Sequence, residues 1–392
     1  MASAPAQSSA APQVDPALTT LRVAGVDPEI GFAGGETQVL GLAHELVRSG
    51  QRAELICDPR GRLWKRARDE GIVCHPLSIR NGLDFGAALR LRKLLSRERF
   101  DIVHFHTSHA HSLAPYLRAT AGALVVTRRT DFAPNRLFAP LLFNRAVDGV
   151  AAISTAVAGA LERSGVRRDH LTLIPSGVDC DFFHPPTDPD RSRAREALGL
   201  LAGDLAVGTI GALEPRKGHR QLLDAIAIIR QSRAGATKIR CLIAGDGSLR
   251  VALAKRAADP DLAGSVHLLG HLDDVRRLLS ALDIFAFPSL AEGLGIAVLE
   301  AMACGLPVVA SAAGGIGDAV EHERTGVLCR PGDPAVLAAA LARLAASVAD
   351  RRAMGEASRR RAEDQFAMRT MALRTLALYR RCLAKRTGSG KG

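Results

Sequence analysis

The chain has 392 residues, too many for one ordinary hydrophobic core, so two domains are expected. Apolar residues make up 47% and aromatics only 4%, which excludes a disordered chain and favours aliphatic α/β layers over an aromatic-rich sandwich. The net charge of +12 is uneven: residues 60–100 hold eleven Lys/Arg against four Asp/Glu, and residues 351–392 hold twelve against three. Such runs are either solvated helix faces or a basic surface for anionic lipid, lipopolysaccharide or nucleic acid.

The start of the chain is rich in Ala, Ser and Pro, without a basic segment or a continuous apolar one. Residues 1–18 are expected to be a flexible tail, not a signal peptide. Short β-branched runs then alternate with amphipathic stretches. The runs in the first half are 21–26, 53–57, 72–77, 102–106, 124–127, 150–154 and 171–175. Gly31, Gly34, Gly35 and Glu36 follow the first run and precede a helical stretch, without the G-x-G-x-x-G spacing of a dinucleotide fingerprint. A tight turn explains these glycines as well as a phosphate-binding loop does. His104, His106, His109 and His111 cluster at the end of the fourth run. No carboxylate or cysteine completes a metal set there, so none is expected. His104 reads as a packed core histidine and His109 as an acceptor-side residue. The fifth run ends in Arg128 and Arg129, whose guanidinium forks suit phosphate or carboxylate groups.

The segment 185–191, Pro-Pro-Thr-Asp-Pro-Asp-Arg, marks a linker between a first domain (19–188) and a second (189–364). The second half repeats the pattern with runs at 206–211, 238–244, 265–269, 284–287, 307–311 and 326–329. Such alternation implies two doubly wound parallel sheets with helices on both faces, facing each other across a cleft. Ligands bind such sheets at the carboxyl ends of their strands. Arg216 and Lys217 follow the first of these runs and could neutralise a diphosphate leaving group. The most informative stretch is a loop holding Glu292, Gly293, Leu294 and Gly295, with Ile296 opening a helix that carries Glu300. Glycines there allow close backbone approach, and a helix start offers free N–H groups to anionic oxygens. A single helix is expected over 334–349. Residues 365–392 are expected to form a helix crossing back to the first domain, ending in a basic tail, so that the basic runs 351–392 and 60–100 are expected to join into one positive face. The seven cysteines include no C-x-x-C pair and read as buried thiols.

The spacing Glu292 to Glu300, with Ala-Met-Ala-Cys-Gly-Leu-Pro-Val-Val-Ala-Ser and Gly314-Gly315-Ile316 after it, resembles the E-x7-E motif of family 4 retaining glycosyltransferases, which have the GT-B fold. Ile174 to Asp179, followed by Phe183, resembles that family's approach to its interdomain linker. The resemblance spans residues 21–379 and implies transfer of a sugar from a nucleotide-diphosphate sugar, with retention and without a metal or other cofactor. It puts Glu292 by the donor sugar, Glu300 on the ribose hydroxyls, and Lys217 with Arg216 on the diphosphate. It puts the amides of Gly34, Gly35 and 293–296 by sugar and phosphate, and Leu272 by the nucleobase. His109, Arg128 and Arg129 fall on the acceptor side. The chain departs from the pattern in two places: Ala212 stands where the family usually has Arg, and Arg128-Arg129 where many members have a catalytic His. The implied partners are a nucleotide-sugar donor and a glycan, lipid-linked or phosphorylated acceptor of envelope or polysaccharide synthesis. A cytoplasmic protein visiting an anionic inner leaflet follows, with no nucleic-acid partner. A glycoside hydrolase using Glu292 and Glu300, a nucleotide-sugar epimerase on the same fold, and a non-catalytic basic lipid- or nucleic-acid-binding protein are the alternatives.

Overall fold

The computed structural model describes residues 20–82, 84–119, 122–232 and 238–388; the expected tail 1–18 and the last four residues lie outside them. Thirteen strands among the described residues form two parallel sheets. The first contains β1 (Arg22–Asp27), β2 (Arg52–Cys57), β3 (Val73–Pro76), β4 (Ile102–Phe105), β5 (Ala123–Arg128), β6 (Gly149–Ala152) and β7 (Leu171–Leu173), in the order 3-2-1-4-5-6-7. The second contains β8 (Leu205–Ile210), β9 (Ile239–Ala244), β10 (Val266–Gly270), β11 (Ile284–Phe287), β12 (Val308–Ser311) and β13 (Gly326–Cys329), in the order 10-9-8-11-12-13. Each of the thirteen apolar runs seen in the sequence is one of these strands. The order reverses between β1 and β4 and again between β8 and β11, leaving a crevice at each strand end. Central strands are buried on both faces, as in β4 and β11, so their sequences are continuous rather than alternating.

Two expected elements end differently. The helix expected over 334–349 stops at Ala346, because Ser347 is extended (φ −120°, ψ 103°) and its hydroxyl caps a new helix, Val348–Phe366, by accepting from Asp350 N. The proline-rich linker gives way at once to the helix Asp188–Ala197, capped by Thr187 with Pro189 in its first turn. Arg191 and Arg195 of that helix converge on Asp283 and tie it to the second sheet.

The chain passes between the sheets twice, and the two crossings bond to each other. Val178 N donates to Phe366 O (2.7 Å) and Met368 N to Val178 O (2.9 Å). Gln38, on the helix Gly34–Arg48, clamps the first crossing by donating to Gly177 O and accepting from Gly177 N, both at 2.7 Å. The last helix, Met368–Gly388, then packs on Gly34–Arg48, β5 and β6, burying Met371, Ala372, Leu376, Tyr379 and Cys382.

The two basic runs do not merge into one face. Arg351, Arg359 and Arg361 lie on the helix Val348–Phe366 and cap carbonyls of Leu344, Ala303 and Ala319 around the second domain. In the first domain the helix Phe85–Glu98 packs on the sheet face opposite that covered by Arg62–Asp69 and the last helix. Of the first run, Arg66 borders one groove with Arg369 of the last helix, whereas Arg381 donates to Thr172 Oγ1 beside β7, at the sheet edge opposite β3. All seven cysteines are free thiols. Among the described residues no helix is long and apolar enough to cross a membrane.

Candidate functional site

Loops from the carboxyl ends of both sheets meet across one cleft. After β8 the chain turns through Arg216, Lys217 and Gly218, and Gly218 needs its left-handed conformation (φ 68°) because a Cβ would sit 2.0 Å from Pro288 O. The loop after β11 is held against this turn: Leu290 N and Ser289 Oγ both donate to Arg216 O, at 2.7 and 3.1 Å. The contact brings Lys217 Nζ to 2.5 Å from Glu292 Oε2, with the ammonium 5.3 Å from the Phe287 ring centroid. Arg216 is more exposed, pairs with Glu214 at 3.0 Å and reaches within 3.9 Å of Glu292.

Gly314 and Gly315 cradle the Glu292–Gly293 backbone. Gly315 N donates to Glu292 O (3.0 Å), and a Cβ on Gly314 would stand 1.9 Å from that same oxygen. Gly295 (φ 86°) turns the chain into the helix Ile296–Ala303. Leu294 is packed in the core, so only its backbone can face a ligand. Glu300 is half-buried on this helix, and no side chain among the described residues pairs with its carboxyl. Burial pushes its pKa up to about 8.

The first domain closes on this wall. Gly34 and Gly35 open the helix Gly34–Arg48, whose Glu36 carboxylate accepts from Ala33 N at 2.7 Å. A Cβ on Gly34 would meet Ile296 Cδ1 at 2.6 Å, and one on Gly293 would meet Arg129 O at 2.3 Å. Thr155 Oγ1 donates to Asp318 Oδ1 (2.8 Å) across the same gap. The structure thus brings Gly34, Lys217, Arg216, Glu292, Gly293, Ile296 and Arg129 around one cleft.

Under the first-domain loops lies a buried polar chain. Tyr379 OH meets His104 Nδ1 at 2.7 Å, and His104 Nε2 meets Thr127 Oγ1 at 2.7 Å. The His104 and His106 rings lie 4.0 Å apart, and Arg129 Nη2 is 3.4 Å from His106 Nδ1. Burial holds His104 down at about 3, so the imidazole is neutral. Burial, and next the Glu36 charge, lift the Asp27 carboxyl at the end of β1 to about 7. His109 lies outside this chain, exposed and 3.4 Å from Glu29 Oε1. Leu272 lies apart, half-buried over a groove of about 650 Å³ between the helices Asp188–Ala197 and Val275–Ala281 (with Asp190 and Arg276 beside it).

Sequence reading missed three features. The Lys217–Glu292 contact joins residues 75 apart and leaves no local signal. Gly245 and Gly247 (φ 143° and 154°) carry β9 under the β8 loop, where a Cβ on Gly245 would lie 1.9 Å from Gly211 O. Two glycines directly after an apolar run were the available signal for them. Asp27 is a lone acid ending such a run, and only burial marks it out. Among the described residues no group of three His, Cys, Asp or Glu could hold a metal ion.

Comparison with known proteins agrees with this architecture. Residues 32–182 match the family described as Glycosyltransferase Family 4, and residues 204–347 match Glycosyl transferases group 1. The D-inositol 3-phosphate glycosyltransferase of Pseudarthrobacter chlorophenolicus is 30% identical over 291 residues, 72% of this chain and 66% of that protein's length. The MMP alpha-(1->4)-mannosyltransferase of Mycolicibacterium hassiacum is 29% identical over 88% of this chain and 92% of its own. In three dimensions HepE of Anabaena, solved in complex with UDP, superposes with a TM-score of 0.81 at 22% identity, covering 91% of this chain and 99% of its own. Two family matches in the right order, on two parallel sheets facing one cleft, make the chain a member of the family 4 glycosyltransferases, with the GT-B fold.

Proposed function

We propose that the protein is a retaining, metal-independent glycosyltransferase that moves a sugar from a nucleotide-diphosphate sugar to a glycan, lipid-linked or phosphorylated acceptor of the cell envelope. The observation that carries this reading is the Lys217–Glu292 pair, at 2.5 Å, set between the glycine-bearing ends of the two sheets. A diphosphate arriving there takes the ammonium from Glu292 and leaves that carboxylate free for the sugar hydroxyls. Glu300, with no side-chain partner among the described residues and kept mainly protonated by burial, offers a carbonyl oxygen and an O–H to vicinal ribose hydroxyls. Gly34, Gly35 and the amides of 293–296 supply N–H groups to the phosphates. The reaction needs positioning and charge stabilisation rather than a protein nucleophile. The departing diphosphate's charge falls to Lys217 and Arg216, which is why no metal is invoked. The protein works on the cytoplasmic side, visiting an anionic membrane through basic side chains of the helix Arg62–Asp69 and the last helix.

A donor panel read as released nucleoside diphosphate tests this function. Turnover is expected with at least one nucleotide-sugar, rising when an acceptor is added and surviving EDTA. Donor conversion without an acceptor would favour an epimerase. Loss with EDTA, restored by Mn²⁺ or Mg²⁺, would reject metal independence.

A further inference from the structure

We propose that Arg128 and Arg129 form an anion subsite for the acceptor, so that the substrate receiving the sugar carries a phosphate next to the cleft. The proposal rests on the glycosyltransferase reading above and names the acceptor class it leaves open.

Both arginines leave the end of β5 on the first-domain wall. Arg129 O lies against Gly293, so its backbone borders the Glu292 loop. Arg128 spans the acceptor-side loops, donating from Nη1 to Ser108 Oγ and from Nη2 to Phe132 O, both at 2.9 Å. Arg129 Nη2 approaches His106 Nδ1 at 3.4 Å, and that imidazole carries no negative charge. The Nε atoms of both guanidiniums are buried with no hydrogen-bond partner. Neither side chain has a carboxylate within 4.0 Å among the described residues. Several other sunken arginines are paired with carboxylates: Arg22 with Glu54, Arg195 with Asp283, Arg240 with Asp204 and Arg361 with Glu321. Asp27 and Glu36 attract Arg129, and Asp131 attracts Arg128, but only from beyond ion-pair distance.

A buried guanidinium without a counter-ion is costly, and its planar set of N–H donors matches the oxygens of a phosphate. Burial lowers Arg129 only to about 10, so it stays charged at neutral pH. The donor diphosphate has its own cations, Lys217 and Arg216, on the opposite wall, which leaves the pair on β5 for the second substrate. Immediately beyond Arg128 the chain exposes Phe132, Leu137 and Phe138, by 65%, 84% and 59%. An anion grip with an apolar apron accommodates a lipid phosphate; a water-soluble sugar phosphate would use the same grip alone.

Two titrations distinguish these sources. With the donor side filled by UDP or GDP, the protein is titrated with inorganic phosphate. It is also mixed with phosphatidylcholine vesicles with and without phosphatidate. The same titrations are run without nucleotide, so that the arginine site and the donor reading are judged separately. We expect binding in at least one series, weakened on the order of tenfold or more by the double substitution Arg128→Gln, Arg129→Gln. The charge-keeping Arg128→Lys, Arg129→Lys protein reports on folding and should bind more tightly than the Gln variant but less tightly than the unaltered protein. Nucleoside-diphosphate affinity should stay within about twofold of the unaltered protein in both variants. The proposal is overturned if neither phosphate nor phosphatidate binds, or if the Gln variant binds them equally well. It is also overturned if the Gln variant loses nucleoside-diphosphate affinity instead, which would assign the arginines to the donor. Absence of any nucleotide binding by the unaltered protein would count against the donor reading and leave the arginine site to its own titration.

Discussion

At the scale of single residues, Glu300 shows how a site can be legible in kind but not in state. Its spacing from Glu292 announces a functional carboxylate, yet its protonation is set by burial that no local pattern encodes. The pKa near 8 carries a sign for stability. A carboxyl that binds its proton more tightly folded than unfolded contributes stability that is full below its unfolded value, about 4.5, and is lost as pH rises through 8. Asp27, lifted to about 7, acts in the same direction. The Glu300 contribution to the melting temperature should therefore fall between about pH 4.5 and pH 8, and Glu300→Gln should flatten that fall. Parallel pH profiles for the two proteins would contradict the assignment. Lys217 was equally legible as a cation after a strand, but its partner was not, because tertiary folding alone brings position 292 to it.

At the scale of elements, the strands were readable because parallel strands buried on both faces are short continuous apolar runs bounded by turns. Helix ends were harder. Ser347 interrupts an Ala-rich periodicity that otherwise continues, and only its capping bond to Asp350 N shows where one helix stops and the next begins. The crossing between domains was legible as a proline-rich stretch but not as a hinge, since Val178 and Met368 are bonded across nearly half the chain. Two glycines facing Met368 separate the rigid part of that hinge from the soft part. A Cβ at Gly177 would lie 2.7 Å from the Met368 Cα, which is backbone, whereas one at Gly41 would meet the flexible end of its side chain, Cε at 2.6 Å and Sδ at 2.8 Å. Gly177→Ala should thus destabilise by about 1–3 kcal/mol, through overpacking, and Gly41→Ala by clearly less. Chemical denaturation of both variants checks the order, and a reversed order would show that the crossing is not the stiffer contact.

At the scale of the whole molecule, the two-sheet architecture followed from the alternation of runs, while the charge distribution did not. Net charge along the sequence suggested one joined basic face; the fold spends Arg351, Arg359 and Arg361 on carbonyls around the second domain and puts the helix Phe85–Glu98 on the far side of the first sheet. What remains for a membrane is a smaller, spread set of cations on the helix Arg62–Asp69 and on the last helix, with Arg66 and Arg369 bordering one groove and Arg381 beside β7. Each such cation is worth about 1 kcal/mol near an anionic surface, enough together for reversible docking. Co-sedimentation should require anionic lipid, weaken at high salt, and drop when Arg380 and Arg381 are changed to Gln. Binding indifferent to lipid charge would point to a soluble acceptor.

The central claim is that Lys217 from the β8 turn and Glu300 from the helix after β11 serve one ligand, the nucleotide of a sugar donor. Calorimetric titration of UDP and GDP into the unaltered protein, Lys217→Ala and Glu300→Ala tests it most directly. The unaltered protein should bind at least one of the two nucleotides; Lys217→Ala should weaken that binding by about 2–5 kcal/mol, the usual cost of removing a charged contact from a desolvated site, and Glu300→Ala by about 1–3 kcal/mol, that of a lost hydrogen-bonding group. Affinity unchanged in both variants, or no binding to the unaltered protein, would contradict the account.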